Sequence, residues 1–243
     1  MRLAKRKVLI SHRRKDRRGI KYLTLLILLT SVGVVIAWFV LTIPYFCITR
    51  VEVKGEERLS KEVILKWAAI PRQSSIFRVN LKDVSERIIL ASKIKKAEVR
   101  RVFPSTLLIL IQERSPFAYL RKGSRFWEID EEGVVIGEAV EKQHLPLITG
   151  AGVSPDKAQR IEMGVKILAN FQKSGLPLSR IDIINENYLV GYLEKGPRVY
   201  LRENHHLGYL SYLPLILQDA KRVDRRVKYL DLRFNQQVVV GYE

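Results

Sequence analysis

The sequence predicts an α+β protein: a single N-terminal transmembrane helix, then a β-α-α-β-β module, then a C-terminal mixed β domain with two helices. Three observations carry this. One long apolar run lies near the N-terminus, strand and helix periodicities follow it in the order β-α-α-β-β, and short strand-like runs separated by turn residues fill the chain beyond Phe117. With 243 residues and 47% apolar side chains, the chain can build one large or two small domains beside a membrane segment. The predicted divisions are a basic tail over 1–21, the membrane helix over 22–46, the first module over 47–116 and the second domain over 117–243.

Between Lys21 and Arg50 the only ionisable groups are phenols and one thiol, and Leu23 to Ile43 is almost wholly apolar. As a helix this run measures roughly 31 Å, which matches a hydrocarbon core of about 30 Å. A buried core helix would not need so long an uninterrupted run. The run is also longer than a signal-peptide core, and its exit, Thr42-Ile43-Pro44-Tyr45-Phe46-Cys47, offers no small-x-small cleavage site. Bulky Tyr45 and Phe46 before Cys47 argue against a lipoprotein signal and leave the cysteine as an interfacial apolar residue. Trp38, Tyr45 and Phe46 fit an interfacial aromatic belt.

The formal charge of +18 is unevenly placed. From Met1 to Lys21, ten basic residues (Arg2, Lys5, Arg6, Lys7, Arg13, Arg14, Lys15, Arg17, Arg18, Lys21) stand against Asp16 alone, so this tail carries +9. Lysine and arginine beside a first span stay on the cytoplasmic side, which puts the tail inside and the rest of the chain outside. The charge then serves topology and attraction to anionic lipid, and a nucleic-acid partner is not expected. Cys47 is the single cysteine, which excludes an internal disulfide framework and a cysteine-rich zinc site.

Past the span, Thr49, Val51 and Val53 alternate with Arg50, Glu52 and Lys54 as a half-buried strand ending at Gly55. Ser60 caps a helix through Ala69 whose apolar stripe is Val63, Ile64, Trp67 and Ala68. Asn80 caps a second, with Leu81, Val84, Ile88 and Ala91 on one face and Asp83 in its first turn. KAEVRRVFP and TLLILIQER are strand-prone runs around the turn Pro104-Ser105-Thr106, and so form a hairpin.

This order of elements resembles a POTRA domain. The stretch Ala97–Leu120, AEVRRVFPSTLLILIQERSPFAYL, resembles the second and third strands of the bacterial division family FtsQ/DivIB, with its aromatic-Pro turn at Phe103-Pro104 and its Glu-Arg-x-Pro-x-Ala at Glu113, Arg114, Pro116 and Ala118. The sequence of tail, span and POTRA module matches the same family.

In the second region FAYL, FWEID, VVI and LPLITG read as short strands, with Asp130 and Gly133 in a turn. FWEIDEEGVVI and LPLITG resemble the family's strand-turn-strand and Leu-Pro-x-x-x-Gly segments. Pro155 opens a helix with Ile161, Val165, Leu168 and Ala169 on one face, stopped by Gly175. Ile181–Ile184, Tyr188–Leu193 and Arg198–Leu201 are strands, and His205 to Ala220 reads as a second helix interrupted at Pro214. The ending YLDLRFNQQVVVGYE places Leu230, Leu232 and Phe234 on one face and Val238–Val240 in a last strand. Leu230, Asp231, Leu232, Arg233 and Phe234 resemble the family's Val-Asp-Leu-Arg-aromatic signature, with a departure at Gln236-Gln237.

The resemblance implies a divisome scaffold at the septum, in the cell inner membrane, linking cytoplasmic-side and periplasmic-side division proteins without a catalytic step. Its implied partners are division proteins resembling FtsB and FtsL, which add a strand to the last sheet edge, and other divisome membrane proteins through the POTRA module and the span. The implied partner-binding residues are Arg233, Phe234, Gln236, Val238 and Val240. An exposed edge strand supports this physically, because its unpaired N–H and C=O groups supply affinity and its alternate side chains specificity.

No Gly-rich phosphate loop, HExxH pair or Gly-x-Ser-x-Gly elbow is present, and neither cofactor nor small-molecule substrate is expected. His12, His144 and the adjacent His205-His206 do not form a metal pattern, since neighbouring side chains point apart. The acidic pair Glu131-Glu132 reads as solvated. A membrane-anchored cell-wall enzyme would need an activated nucleophile, and no serine has a base at motif spacing. An envelope assembly factor built on POTRA modules would need several modules or a barrel, for which the chain has no room.

Overall fold

The computed structural model describes residues 17–42, 44–71, 73–140, 144–150, 157–185, 188–202, 207–234 and 237–243. Most of the basic tail, together with Pro155, His205, His206 and Gln236, lies outside them.

Helix α1 (Arg17–Thr42) contains one window, Lys21–Phe39, long and apolar enough to cross a membrane, and none of it is buried inside the protein. Three of its hydroxyls are satisfied internally. The hydroxyls of Thr24, Thr30 and Ser31 donate to the carbonyls of Lys21, Ile27 and Leu28 at 2.8–2.9 Å, which removes the cost of an unpaired group in hydrocarbon. Pro44 lacks an N–H and cannot extend the helical ladder, so the end of the predicted 22–46 segment is a 3-10 turn, Pro44–Phe46.

The first module follows in the predicted order: β1 (Arg50–Lys54), α2 (Lys61–Ala68), α3 (Leu81–Ile89), β2 (Ile94–Val102) and β3 (Thr106–Glu113). Strand β3 is central, parallel to β1 and antiparallel to β2. Its Leu107, Ile109 and Ile111 meet Ile64 and Ala68 of α2 and Val84 and Ile88 of α3 in one core. Asn80 caps α3 by accepting from the Lys82 N–H, whereas the Ser60 hydroxyl makes no capping bond on α2.

The second sheet is built from β4 (Ala118–Lys122), β5 (Arg125–Ile129), β6 (Val135–Glu138), β7 (Leu147–Thr149), β8 (Leu178–Asn185), β9 (Tyr188–Leu193), β10 (Arg198–Leu201), β11 (Val227–Asp231) and β12 (Val239–Tyr242). These nine strands run in the order β12-β11-β10-β9-β8-β7-β4-β5-β6. Helix α4 (Lys157–Lys173) joins the parallel pair β7 and β8, and α5 (Leu213–Arg222) joins the parallel pair β10 and β11. A parallel pair cannot be closed by a tight turn, so each predicted helix is the crossover its pair requires. Both pack into the same core, where Phe171, Leu168 and Leu213 meet Ile148, Ile181 and Val199.

The helix predicted from His205 to Ala220 is two elements. A 3-10 turn, Leu207–Tyr212, precedes α5, and Pro214 sits in the first turn of α5, where a missing N–H interrupts no bond. The final strand is displaced from Val238–Val240 to Val239–Tyr242, and Phe234 leaves the face of Leu230 and Leu232: those two are buried, while Phe234 is 50% exposed.

Gly150, which ends the LPLITG segment, has φ of +76°, and a β-carbon there would lie 2.1 Å from the Ile183 carbonyl oxygen. Gly150→Ala is therefore expected to destabilise the protein by at least about 2 kcal/mol. Urea unfolding of the full chain in detergent, followed by tryptophan fluorescence, measures this, and an unchanged midpoint would contradict it.

Candidate partner-docking edge

The nine-stranded sheet has two ends, and they differ. At β6 the first module covers the edge: the Ser92 hydroxyl donates to the Ile136 carbonyl at 2.7 Å, and Lys93 lies beside Gly137. At the other end β12 pairs with β11 through Val239↔Asp231, Val240↔Leu230, Gly241↔Tyr229 and Tyr242↔Val227. Its outer side has no strand partner among the described residues. Eight strand spacings separate the two ends, about 38 Å at 4.8 Å each.

The first module is held at the β6 end by charged groups at the end of β3, in β2 and in the loop before α2. The Glu113 carboxylate accepts from the backbone N–H groups of Glu57, Arg58 and Leu59 at 3.0–3.2 Å, fixing the loop before α2. Arg114 donates to Asp130 and, at 2.7 Å, to Glu132. Lys95 pairs with Glu131 and Glu132 at 2.8 and 3.1 Å, and Arg58 with Glu128 at 3.4 Å. The acidic pair read as merely solvated thus belongs to an ion cluster spanning both modules. Hydrogen bonds from Arg114 and Lys95 lower the Glu132 carboxyl below its ordinary value, and those from Glu131 and Glu132 raise Lys95.

The sheet face opposite the helices carries an aromatic and cationic strip that ends at β12. Tyr188 and Tyr200 stack at 6.0 Å, and Tyr200 meets Tyr229 at 5.5 Å. The Arg233 guanidinium lies over Tyr188 and Tyr200 at 5.1 and 5.3 Å. Asp231 holds it there by accepting from Nε at 2.9 Å and from the second guanidinium nitrogen at 2.6 Å. Burial pushes the Asp231 carboxyl up, but hydrogen bonds from the Arg233 side chain and backbone, with its charge, outweigh this and leave it below the usual range. Tyr229 lies across the last strand only because Gly241 has no side chain: a β-carbon there would come within 2.2 Å of the ring.

Of the five residues named from the sequence, Arg233 and Phe234 lie at this surface. Val238 and Val240 are half-buried against the domain core, and Gln236 is outside the described residues. Val239 and Tyr242, exposed on the edge strand, were not named, nor were Tyr188, Tyr200 and Tyr229. Their signal was available: each tyrosine alternates with buried neighbours, Leu189, Val199 and Leu230. Among the described residues no group of three or more His, Cys, Asp or Glu could hold a metal ion.

A membrane-crossing helix, a β-α-α-β-β module and a one-sided β domain ending in an open strand define a membrane-anchored protein of the POTRA type. The family model for the FtsQ-type POTRA domain matches residues 46–114, and that for the C-terminal domain of cell division protein FtsQ/DivIB matches residues 118–233. The chain belongs to the FtsQ/DivIB family of cell division proteins.

It is 31% identical to cell division protein DivIB of Clostridium botulinum (strain Hall) over 67% of this chain, and the match spans 65% of that relative's length. To cell division protein FtsQ of Geobacter sp. (strain M21) it is 29% identical over 78% of this chain and 74% of the relative. The extracytoplasmic domain of the DivIB of Geobacillus stearothermophilus, a solved structure, is matched over 46% of this chain and 97% of its own, at 20% identity and a TM-score of 0.31. Family membership and the one membrane-length apolar helix among the described residues together support a single-pass membrane protein.

Because the folded Glu132 carboxyl titrates below its ordinary 4.5, its contribution to stability is complete above pH 4.5 and is lost as the pH falls through the lower folded value. Glu132→Gln should lower the melting temperature above pH 4.5, and the gap between native chain and variant should close as the pH is lowered further. A gap independent of pH would show that the cluster does not titrate as a unit of stability.

Proposed function

We propose that this chain is a non-catalytic scaffold of the division machinery that captures extracytoplasmic segments of partner division proteins, resembling FtsB and FtsL, by strand addition along β12. The observation that carries the reading is the asymmetry of the sheet: β6 is covered by the first module, and β12 has no outer strand partner among the described residues. Each added strand would satisfy the free backbone N–H and C=O groups of β12, while Arg233, Phe234, Val239 and Tyr242 would read the partner's side chains.

In this reading the tail is cytoplasmic, the two modules lie outside, and the protein links division proteins on the two sides of the membrane at the septum. The module proposed over 47–116 and the span would engage further membrane proteins of the complex, and the domain over 117–243 would present the docking edge. The basic residues Arg17, Arg18 and Lys21 at the start of α1 support that orientation. Depletion of the protein should then give undivided filaments.

Phe234 is the cleaner probe, since a charge at Val238 would enter the core. Phe234→Glu in the full chain should weaken capture of the partner segments at least tenfold while the melting temperature stays within a few degrees of native. Unchanged capture by a folded variant would sink the assignment of this edge.

A further inference from the structure

The end of the first module nearest α1 is stitched to the chain leaving the membrane. Phe46 accepts at its carbonyl from the Ile76 N–H at 2.8 Å, and Ile48 donates to the Ser74 carbonyl at 3.0 Å. Thr49 donates to the Ser105 carbonyl at 3.0 Å, and the two hydroxyls of these residues lie 2.9 Å apart. The loop 74–77 and the hairpin turn 103–105 are thereby drawn to the point where the chain emerges. Arg101 pins the loop from the other side, donating to the carbonyls of Ile76 and Val79 at 2.8 Å each.

The rings carried on these pieces form a chain. Tyr45 meets Phe46 at 5.4 Å, Phe46 meets Phe77 at 5.3 Å, and Phe77 meets Phe103 at 5.6 Å. Tyr45 is 66% exposed and Phe103 60%, with Val102 at 46% beside it. Arg78, adjacent to Phe77, is exposed and makes no ion pair among the described residues. Three exposed apolar side chains at a hairpin tip and a chain exit serve no core, and water is a poor solvent for them.

Tyr45 follows the end of α1 by three residues, at most roughly 11 Å even at full extension. The headgroup layer beyond the hydrocarbon is about 5–8 Å deep on each side. Phe77 and Phe103 are two and three ring contacts from Tyr45, so this end of the module reaches the layer that aromatic side chains prefer.

We propose that this end is a lipid-facing seat: Tyr45, Phe103 and Val102 enter the headgroup layer of the bilayer that α1 crosses, and Arg78 meets the phosphate of anionic lipid. The module is then held against the membrane at a fixed attitude, and the docking edge is projected from a rigid base. The occupant is the bilayer itself, because covalent continuity with α1 brings this surface to it. The inference rests on α1 spanning the membrane and is independent of the docking edge.

The test uses the full chain in nanodiscs with brominated phospholipids, which quench nearby tryptophans. Phe103→Trp adds a reporter at the seat, and Leu90→Trp adds one at an 85% exposed position beyond the far end of β2, about 30 Å away. Native emission sums Trp38 in α1 with Trp67 and Trp127 in the two modules, so the difference between the native chain and Trp38→Phe isolates Trp38, which reports insertion of the span. Emission added by Phe103→Trp should be quenched at least twofold more than that added by Leu90→Trp. Equal quenching with Trp38 quenched overturns the seat alone, and unquenched Trp38 overturns the span and the seat together. Adding phosphatidylglycerol should deepen the Phe103→Trp quenching, and Arg78→Ala should abolish that increment; an increment that survives Arg78→Ala overturns the role of this arginine.

Discussion

Two adjacent side chains, Glu113 and Arg114, hold the extramembrane structure in register. Glu113 turns back to the first module and gathers three backbone N–H groups from the loop before α2. Arg114 turns forward and reaches Asp130, itself buried and accepting from the N–H groups of Glu132 and Val134. Neighbouring residues in extended chain point to opposite sides, so a Glu-Arg pair at the end of a strand can serve two bodies at once. The β6 edge is placed against Ser92 and Lys93 by this tie, and its position settles which end of the long sheet stays open.

The second constraint is the one-sidedness of the nine-stranded sheet. Of its three parallel pairs, β4 and β7 are joined through β5 and β6, whereas β7–β8 and β10–β11 are joined by helices, and both helices contribute to one core. The opposite face is consequently free of helices and collects the tyrosines and arginines that a core rejects. Cation and ring geometry orders this face: Arg180 and Arg198 lie over Tyr192 at 4.0 and 5.7 Å, and Arg233 over Tyr188 and Tyr200. Tyrosine and arginine supply much contact area for little side-chain ordering when they are already braced against one another. A partner strand laid on β12 would meet this surface in a preorganised form.

These two constraints set a direction along the molecule. The apolar helix α1 precedes the 3-10 turn at Pro44–Phe46, the first module follows, the charged junction comes next, and β12, open among the described residues, lies at the far end of the sheet. The proposed strand addition would benefit from this order, because an edge near the junction would be occluded by the first module, as β6 is.

Local pattern determined the elements. The apolar run dictated α1, period-two alternation dictated β1, β9 and β10, and Asn80 fixed the start of α3. The resemblance of Glu113, Arg114 and the Leu-Asp-Leu-Arg-Phe ending pointed to the family. What sequence alone could not supply was the environment of each residue. Val238 and Val240 read as edge residues but face the core, because Val240 pairs with buried Leu230 on the same face of the sheet and Val238 lies two residues before it. Glu131 and Glu132 read as solvated turn residues, yet they lie within 3.1 Å of Lys95, 36 and 37 positions earlier, and such pairings follow only from folding two modules against each other. Periodicity is a property of a few neighbouring residues and is written in the chain; the open edge at β12 and the closed one at β6 are properties of strand order, which only the tertiary structure decides.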